Sequence, residues 1–254
     1  MEMIQSVPIR SVELEWQARV DLAAAFRWAA RLNLHEAIAN HFSVAISDDG
    51  VKFLLNPRGR HFSRIRASEL MLLDAHDPSV LSSDNPPDLT AWYLHAHLHQ
   101  HLPLARCILH THMPYATALC CLHDFEFLMT EQNALRFYNR IAYDRDYSGL
   151  ALDVEEGTRV AHLMGNDKSV LFMGNHGVIV VGNSVAEAFD ELYYLEKAAQ
   201  IQVLALSTGQ ELSIVPDDVA ATACEQWREY PQFSELHFAA LKEILDEEEP
   251  DYKT

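Results

Sequence analysis

Arg106-Cys107-Ile108-Leu109-His110-Thr111-His112 is the most telling stretch of this chain. Its apolar run predicts a buried strand, and alternate residues of a strand point to one face. His110 and His112 therefore share a face, with Cβ atoms roughly 7 Å apart by strand geometry. Two imidazoles so placed suit chelation of one cation. A catalytic zinc-type site takes three protein ligands and leaves a further position for water or substrate. The best third candidate is His176, in Gly174-Asn175-His176-Gly177 between two more apolar runs. Its flanking glycines permit a tight turn. A His-x-His pair on a half-buried strand also serves packing or hydrogen bonding, and the pair alone leaves both readings open.

Helical and extended patterns alternate on either side of this strand, without a low-complexity linker or repeat. Val12, Trp16, Val20, Ala23, Phe26 and Ala30 form a helical stripe over residues 12–32. Residues 42–46 and 51–55 flank Ser47-Asp48-Asp49-Gly50 and predict a hairpin. A short strand is expected over 70–73, a helix over 89–102, a strand over 106–110 and a helix over 114–122. A helix over 154–164 precedes a hairpin of 170–173 and 178–181 around His176. A long helix over 184–206 has Ser184 as its cap and Glu187 three residues on. Helices over 219–230 and 234–248 close the chain. The pattern predicts an α/β fold, a three-layer α/β/α sandwich with a mixed, largely antiparallel central sheet.

With 254 residues, 49% apolar and 22% charged, the chain fits a single domain over 1–254 with a sizeable core. A net charge of −18 argues against nucleic acid or anionic membrane as partner, since both repel an acidic surface. Part of that charge is local: Asp246, Glu247, Glu248, Glu249 and Asp251 predict a solvated, mobile tail over 246–254. Cys107, Cys120, Cys121 and Cys224 lack zinc-ribbon or redox spacing and read as reduced residues of a cytoplasmic protein. Met1-Glu2-Met3-Ile4-Gln5 has no cationic start before an apolar stretch, so no signal peptide is expected. No apolar run approaches the ~20 residues that span a bilayer.

Further segments appear in a telling order. They are Asn40-His41-Phe42-Ser43-Val44, Phe53-Leu54-Leu55-Asn56-Pro57-Arg58-Gly59 and His110-Thr111-His112-Met113-Pro114-Tyr115-Ala116-Thr117-Ala118. Asn175-His176-Gly177-Val178 follows, then Val185-Ala186-Glu187-Ala188-Phe189 continuing through Tyr193-Tyr194-Leu195-Glu196. Any one of them is common, but in this order they resemble the class II aldolase/adducin family. The resemblance implies the same sandwich fold and a divalent metal on His110, His112 and His176, usually zinc, with Fe2+ or Mn2+ as alternatives. It also implies a small-molecule substrate and a ring-shaped homo-oligomer, commonly a tetramer, whose sites borrow residues from the adjacent subunit.

One departure from the family bears on activity. Its aldolases and epimerases carry a glutamate, a ligand or acid/base, on the helix before the His-x-His strand. Counted back from His110 through the Trp92 to His95 spacing, that position is Ala91. Alanine neither binds metal nor moves a proton. Its methyl should nevertheless lie near the metal and leave room there. Asp88, after Asn85-Pro86-Pro87, reads as a first-turn helix residue. The branch without the glutamate includes the adducin head domain, and Phe137-Tyr138-Asn139-Arg140 with Ala142-Tyr143 looks like that branch.

Other polar residues complete the expected site. Asn56-Pro57-Arg58-Gly59 resembles the loop that holds a sugar phosphate through backbone amides, and Arg58 adds a charge suited to phosphate or carboxylate. Arg58 and Gly59 are therefore the substrate-binding candidates. His41 stands where the sugar-phosphate enzymes have an asparagine, which favours a smaller anionic or aromatic acid. Glu131 falls where aldolases bring a tyrosine proton donor from a neighbouring subunit, and is the candidate acid/base. In His95-Ala96-His97-Leu98-His99-Gln100-His101, helical i,i+4 pairs have zinc-binding spacing, but no acidic or sulfur ligand accompanies them. The leading expectation is a metal-dependent lyase acting by aldol cleavage or decarboxylation through a metal-stabilised enolate. The alternatives are a non-catalytic adducin-like interaction module and an iron-dependent oxygenase on the same histidines.

Overall fold

A computed structural model describes residues 9–147, 149–230 and 232–254. Strands β1 (His41–Ala45), β2 (Lys52–Leu55), β3 (Met71–Asp74), β4 (Cys107–Thr111), β5 (Ile141–Asp144), β6 (Val170–Met173) and β7 (Gly177–Gly182) form one sheet. Their order is β3-β2-β1-β4-β7-β6-β5. Every neighbouring pair is antiparallel except β5 and β6. The helices are α1 (Ile9–Arg31), α2 (Leu89–His101), α3 (Pro114–Cys120), α4 (Val154–Met164), α5 (Val185–Ser207), α6 (Asp217–Arg228) and α7 (Gln232–Glu248).

Side-chain alternation divides the helices into two layers. On β4, Cys107 and Leu109 join a cluster with Phe26 of α1, Ala116 of α3, Leu192 of α5 and Phe238 of α7. Ile108 faces the other way, packing with Leu94 and Leu98 of α2 and Val160 of α4. Ile179 and Val181 of β7 share that second face, while Val178 and Val180 join the first. The expected three-layer sandwich is the observed one. Continuing the alternation puts His110 on the α2 side with Ile108, and puts His41 and Ser43 of β1 there opposite Phe42 and Val44. The register seals this arrangement: His110 lies between His41 on β1 and Ile179 on β7. The site residues thus sit where the sheet's central strands meet the α2–α4 layer.

Two departures from the sequence reading matter. Ile141–Asp144 forms strand β5, which no pattern announced; it is only 4 residues long and half-buried at alternate positions. It is stabilised by parallel pairing with β6, a non-local contact that leaves little trace in local sequence. The acidic tail, expected to be loose, is docked on α1. Buried Arg27 bonds Glu249 at 2.7 Å and Asp251 at 3.0 Å, and Arg31 reaches Glu248 at 2.7 Å. Local sequence does not show this docking, because the tail's basic partners lie more than two hundred residues away. Met1-Glu2-Met3-Ile4-Gln5, read above for a targeting signal, lies outside the described residues. Among those described, no helix is long and apolar enough to cross a membrane.

Candidate metal centre

Each of three imidazoles reaches the site from a different constraint. His110 lies on β4, which is buried throughout, and its Nδ1 donates to the Val178 carbonyl at 3.0 Å. That bond fixes the tautomer and leaves Nε2 bare. His112 lies just beyond β4, and its Nδ1 donates to the Glu36 carboxylate at 2.5 Å. Asn40 sets this geometry, because its Oδ1 accepts from the Glu36 amide at 2.6 Å and the His112 amide at 3.4 Å. The segment after His112 is anchored too. Glu196 of α5 accepts from the Tyr115 and Ala116 amides at 2.8 and 2.9 Å, capping α3, and burial pushes its carboxyl up to about 7.

His176 comes from the turn between β6 and β7, where Met173 pairs with Gly177. The left-handed residue of that turn is Asn175, with φ 56°, rather than either glycine. The glycines serve close approach instead. A Cβ on Gly177 would fall 2.5 Å from the Thr111 oxygen and 2.7 Å from Cδ2 of His112, so only glycine lets β7 pass beneath that ring. A Cβ on Gly174 would lie 3.1 Å from the carbonyl oxygens of Asp144 and Arg145.

The result is convergence. One ring nitrogen from each of His110, His112 and His176 lies within 4.8 Å of the others. The Nε2 atoms of His110 and His112 stand 3.2 Å apart. With both Nδ1 atoms donating elsewhere, these are two lone pairs facing each other, which repel unless a cation lies between them. Burial first, then neighbouring imidazoles, holds His110 well below the usual histidine range. Burial and the proximity of His112 lower His176 to about 4. Neutral, oriented nitrogens are what metal ligation requires. The donor set fits a divalent transition metal.

The Class II Aldolase and Adducin N-terminal domain family matches residues 20–203. This chain belongs to the class II aldolase and adducin family. A candidate class 2 aldolase protein of Pseudomonas aeruginosa is 31% identical over 246 residues, covering 94% of this chain and 93% of that one. The crystal structure of an aldolase II superfamily protein from Pseudomonas syringae superposes with a TM-score of 0.85 at 32% identity, covering 98% of each chain. Decarboxylase NovR of Streptomyces niveus is 26% identical, over 86% of this chain and 82% of its own.

The other anticipated residues divide. Ala91, at the family's glutamate position, is buried in a cluster with Phe53, Leu73 and Trp92; its methyl is packed, so the expected room is filled by apolar side chains. Asp88 caps α2, accepting from the Thr90 amide at 3.0 Å. Arg58 and Gly59 occupy an exposed turn after β2, and a Cβ on Gly59 (φ 77°) would meet nothing. Glu131 lies outside the metal-competent group; both its oxygens accept from backbone amides, of Asn133 and Ala134, each at 2.9 Å. The run from His95 to His101 splits by helical face. His95 and His99 turn inward to Ser43 of β1, whereas the rings of His97 and His101 stack on each other at 4.0 Å, His97 against Gly157 of α4 and His101 exposed.

Sequence reasoning missed Glu36, Asn40 and Tyr147. Glu36 and Asn40 lie in an irregular stretch without periodicity, although Asn40 stood at the head of a quoted segment. Tyr147 lies in the exposed loop after β5, with its ring 6.1 Å from that of His176.

Proposed function

We propose that this protein is a divalent-metal-dependent lyase that cleaves a carbon–carbon bond, by aldol cleavage or decarboxylation, in a small carbonyl compound or hydroxy acid. The observation that carries this reading is the convergence of His110, His112 and His176, two of whose rings are held by a partner on the other ring nitrogen. A bound ion supplies Lewis acidity toward a substrate carbonyl. Val178 and Glu36 hold the first two rings in place, so ligand geometry is built before substrate arrives. Arg58 and Gly59 are the proposed anchors for a substrate carboxylate.

Decarboxylation suits this site better than aldol chemistry. Loss of CO2 leaves an electron pair on carbon without removal of a carbon-bound proton, so Ala91 in place of a glutamate base costs nothing in that step. The decarboxylase relative supports the same choice. Glu131 is retained as the candidate proton donor only toward a neighbouring subunit's site, because it lies outside its own chain's histidine group. We propose a homotetramer for this reason; a stable monomer at micromolar concentration in light scattering would exclude it. Zinc is the proposed ion, with Fe2+ and Mn2+ compatible with the same ligands, and the proposed compartment is the cytoplasm.

A second reading is favoured by Ala91 alone: an adducin-like binding module that holds metal without turnover. A screen of 2-keto and hydroxy-aromatic acids, with metal removed and restored, separates the two. Metal-dependent CO2 release supports the lyase. Stoichiometric metal without turnover of any acid supports the module.

A further inference from the structure

Beside the triad, β1 and α2 share a single file of hydrogen bonds. His99 Nδ1 lies 2.6 Å from the Ala105 oxygen, and His99 Nε2 lies 2.7 Å from Ser43 Oγ. Ser43 Oγ lies 2.5 Å from His95 Nδ1, and His95 Nε2 lies 2.6 Å from His41 Nδ1. All four side chains are buried.

The file has one possible direction when its imidazoles are neutral. A backbone carbonyl only accepts, so His99 Nδ1 donates and His99 Nε2 must accept. Ser43 therefore donates its single proton to His99, and accepts from His95 Nδ1. His95 Nε2 is then bare and accepts from His41 Nδ1. The last nitrogen, His41 Nε2, is left as an acceptor with no proton. All three rings are buried, where an uncompensated charge is costly, which keeps the file in this state.

His41 borders the metal centre. It is paired with His110 across β1 and β4, their rings are 4.7 Å apart, and the Asp88 carboxylate also acts on it. Its ligand atoms fall outside the convergent group, so it adjoins the three ligands without being a fourth.

We propose that His41 Nε2 is an acceptor-only wall of this site, selecting ligands that carry a hydroxyl donor beside their metal-chelating atoms and disfavouring phosphate or carboxylate there. The inference rests on the metal reading above and narrows the substrate class to hydroxyl-bearing, unphosphorylated carbonyl compounds. Anionic oxygens only accept, so they would set lone pair against lone pair; a hydroxyl makes the bond. Ala105, His99, Ser43 and His95 are positioning residues that act through His41.

Three probes test this on the zinc-loaded full chain. Acetohydroxamate chelates metal and carries no hydroxyl on its carbon arm. Glycolohydroxamate adds that hydroxyl, and methoxyacetohydroxamate caps it with a methyl group. Calorimetric titration should show glycolohydroxamate binding about 10-fold tighter than its methoxy counterpart, the size of one hydrogen bond. His41→Phe and His99→Leu should each bring that ratio close to one. Nitrogen-15 spectra of histidine-labelled wild type should show His41 protonated at Nδ1 and bare at Nε2, a measurement that needs no variant to fold. Equal binding of the two probes, or a proton on His41 Nε2, overturns this inference and leaves the metal reading intact. Failure of all three hydroxamates to bind overturns the metal reading and this inference with it.

Discussion

The triad of His110, His112 and His176 and the file of His41, His95 and His99 lie side by side, and the two are made of the same residue. In the file, both nitrogens of His95 and of His99 find partners inside the protein. In the triad, His110 and His112 each give one nitrogen to the protein and turn the other toward a shared point. Histidine spacing therefore does not distinguish a ligand from a packing residue; the partner of the second nitrogen does. His95 and His99 have the i,i+4 spacing of zinc-binding helices and yet are satisfied without metal.

Five rings of the two groups, those of His41, His95, His99, His110 and His176, are held below the usual histidine range, and acid should expose this most forcefully. Burial lowers His41 to about 3 and His99 to about 4, burial with its neighbour His112 lowers His176 to about 4, and burial first holds His95 and His110 well below the usual range. A base whose folded pKa is depressed contributes stability that is present above its unfolded value near 6.5 and lost as pH falls below it. At pH 5.5 the loss is on the order of 1 kcal/mol per ring, or about 5 kcal/mol over both groups, comparable to the stability of many domains. Metal-free protein should lose its fold cooperatively between about pH 6 and 5, followed by circular dichroism. Unchanged stability at pH 5 would mean that the rings are not buried as described.

Substitutions should separate what acid joins. His99→Leu leaves Ser43 and the Ala105 oxygen without their partner and should cost about 2–4 kcal/mol in urea unfolding, with metal content unchanged. Glu36→Gln should do the opposite. Glu36 is 64% exposed, so the fold should be indifferent, while metal affinity measured by chelator competition should fall about 10–100-fold. The smallest effect belongs to His97→Ala with His101→Ala, on the side of α2 away from Ser43, within about 1 kcal/mol and without metal loss. Loss of metal in that double variant would erase the distinction between the two groups.

Much of this was legible from residues alone, for identifiable reasons. The apolar run 107–109, the hairpin around Ser47-Asp48-Asp49-Gly50, the Ser184 cap of α5 and the α1 stripe from Val20 onward are set by local physics and appear in the structure, whereas Val12 and Trp16 at the start of that stripe are exposed. The family segments fixed which histidines to compare. What stayed hidden depends on contacts distant in sequence: β5 on its pairing with β6, the acidic tail on Arg27 and Arg31, and Glu36 on a bond to a ring 76 positions away. Counting back from His110 pointed to Ala91, but nothing local announced that Phe53, Leu73 and Trp92 surround its methyl.

Metal content tests the central claim most directly. Protein purified without an affinity-column metal, and its His110→Ala, His112→Ala and His176→Ala variants, would be assayed by elemental analysis beside circular dichroism. Wild type should hold about one divalent ion per chain, the stoichiometry of a three-imidazole site, and each folded variant should hold little or none. If any two variants stay folded with full stoichiometry, the triad is not the metal site, and the histidines from His95 to His101 must be reconsidered as its ligands.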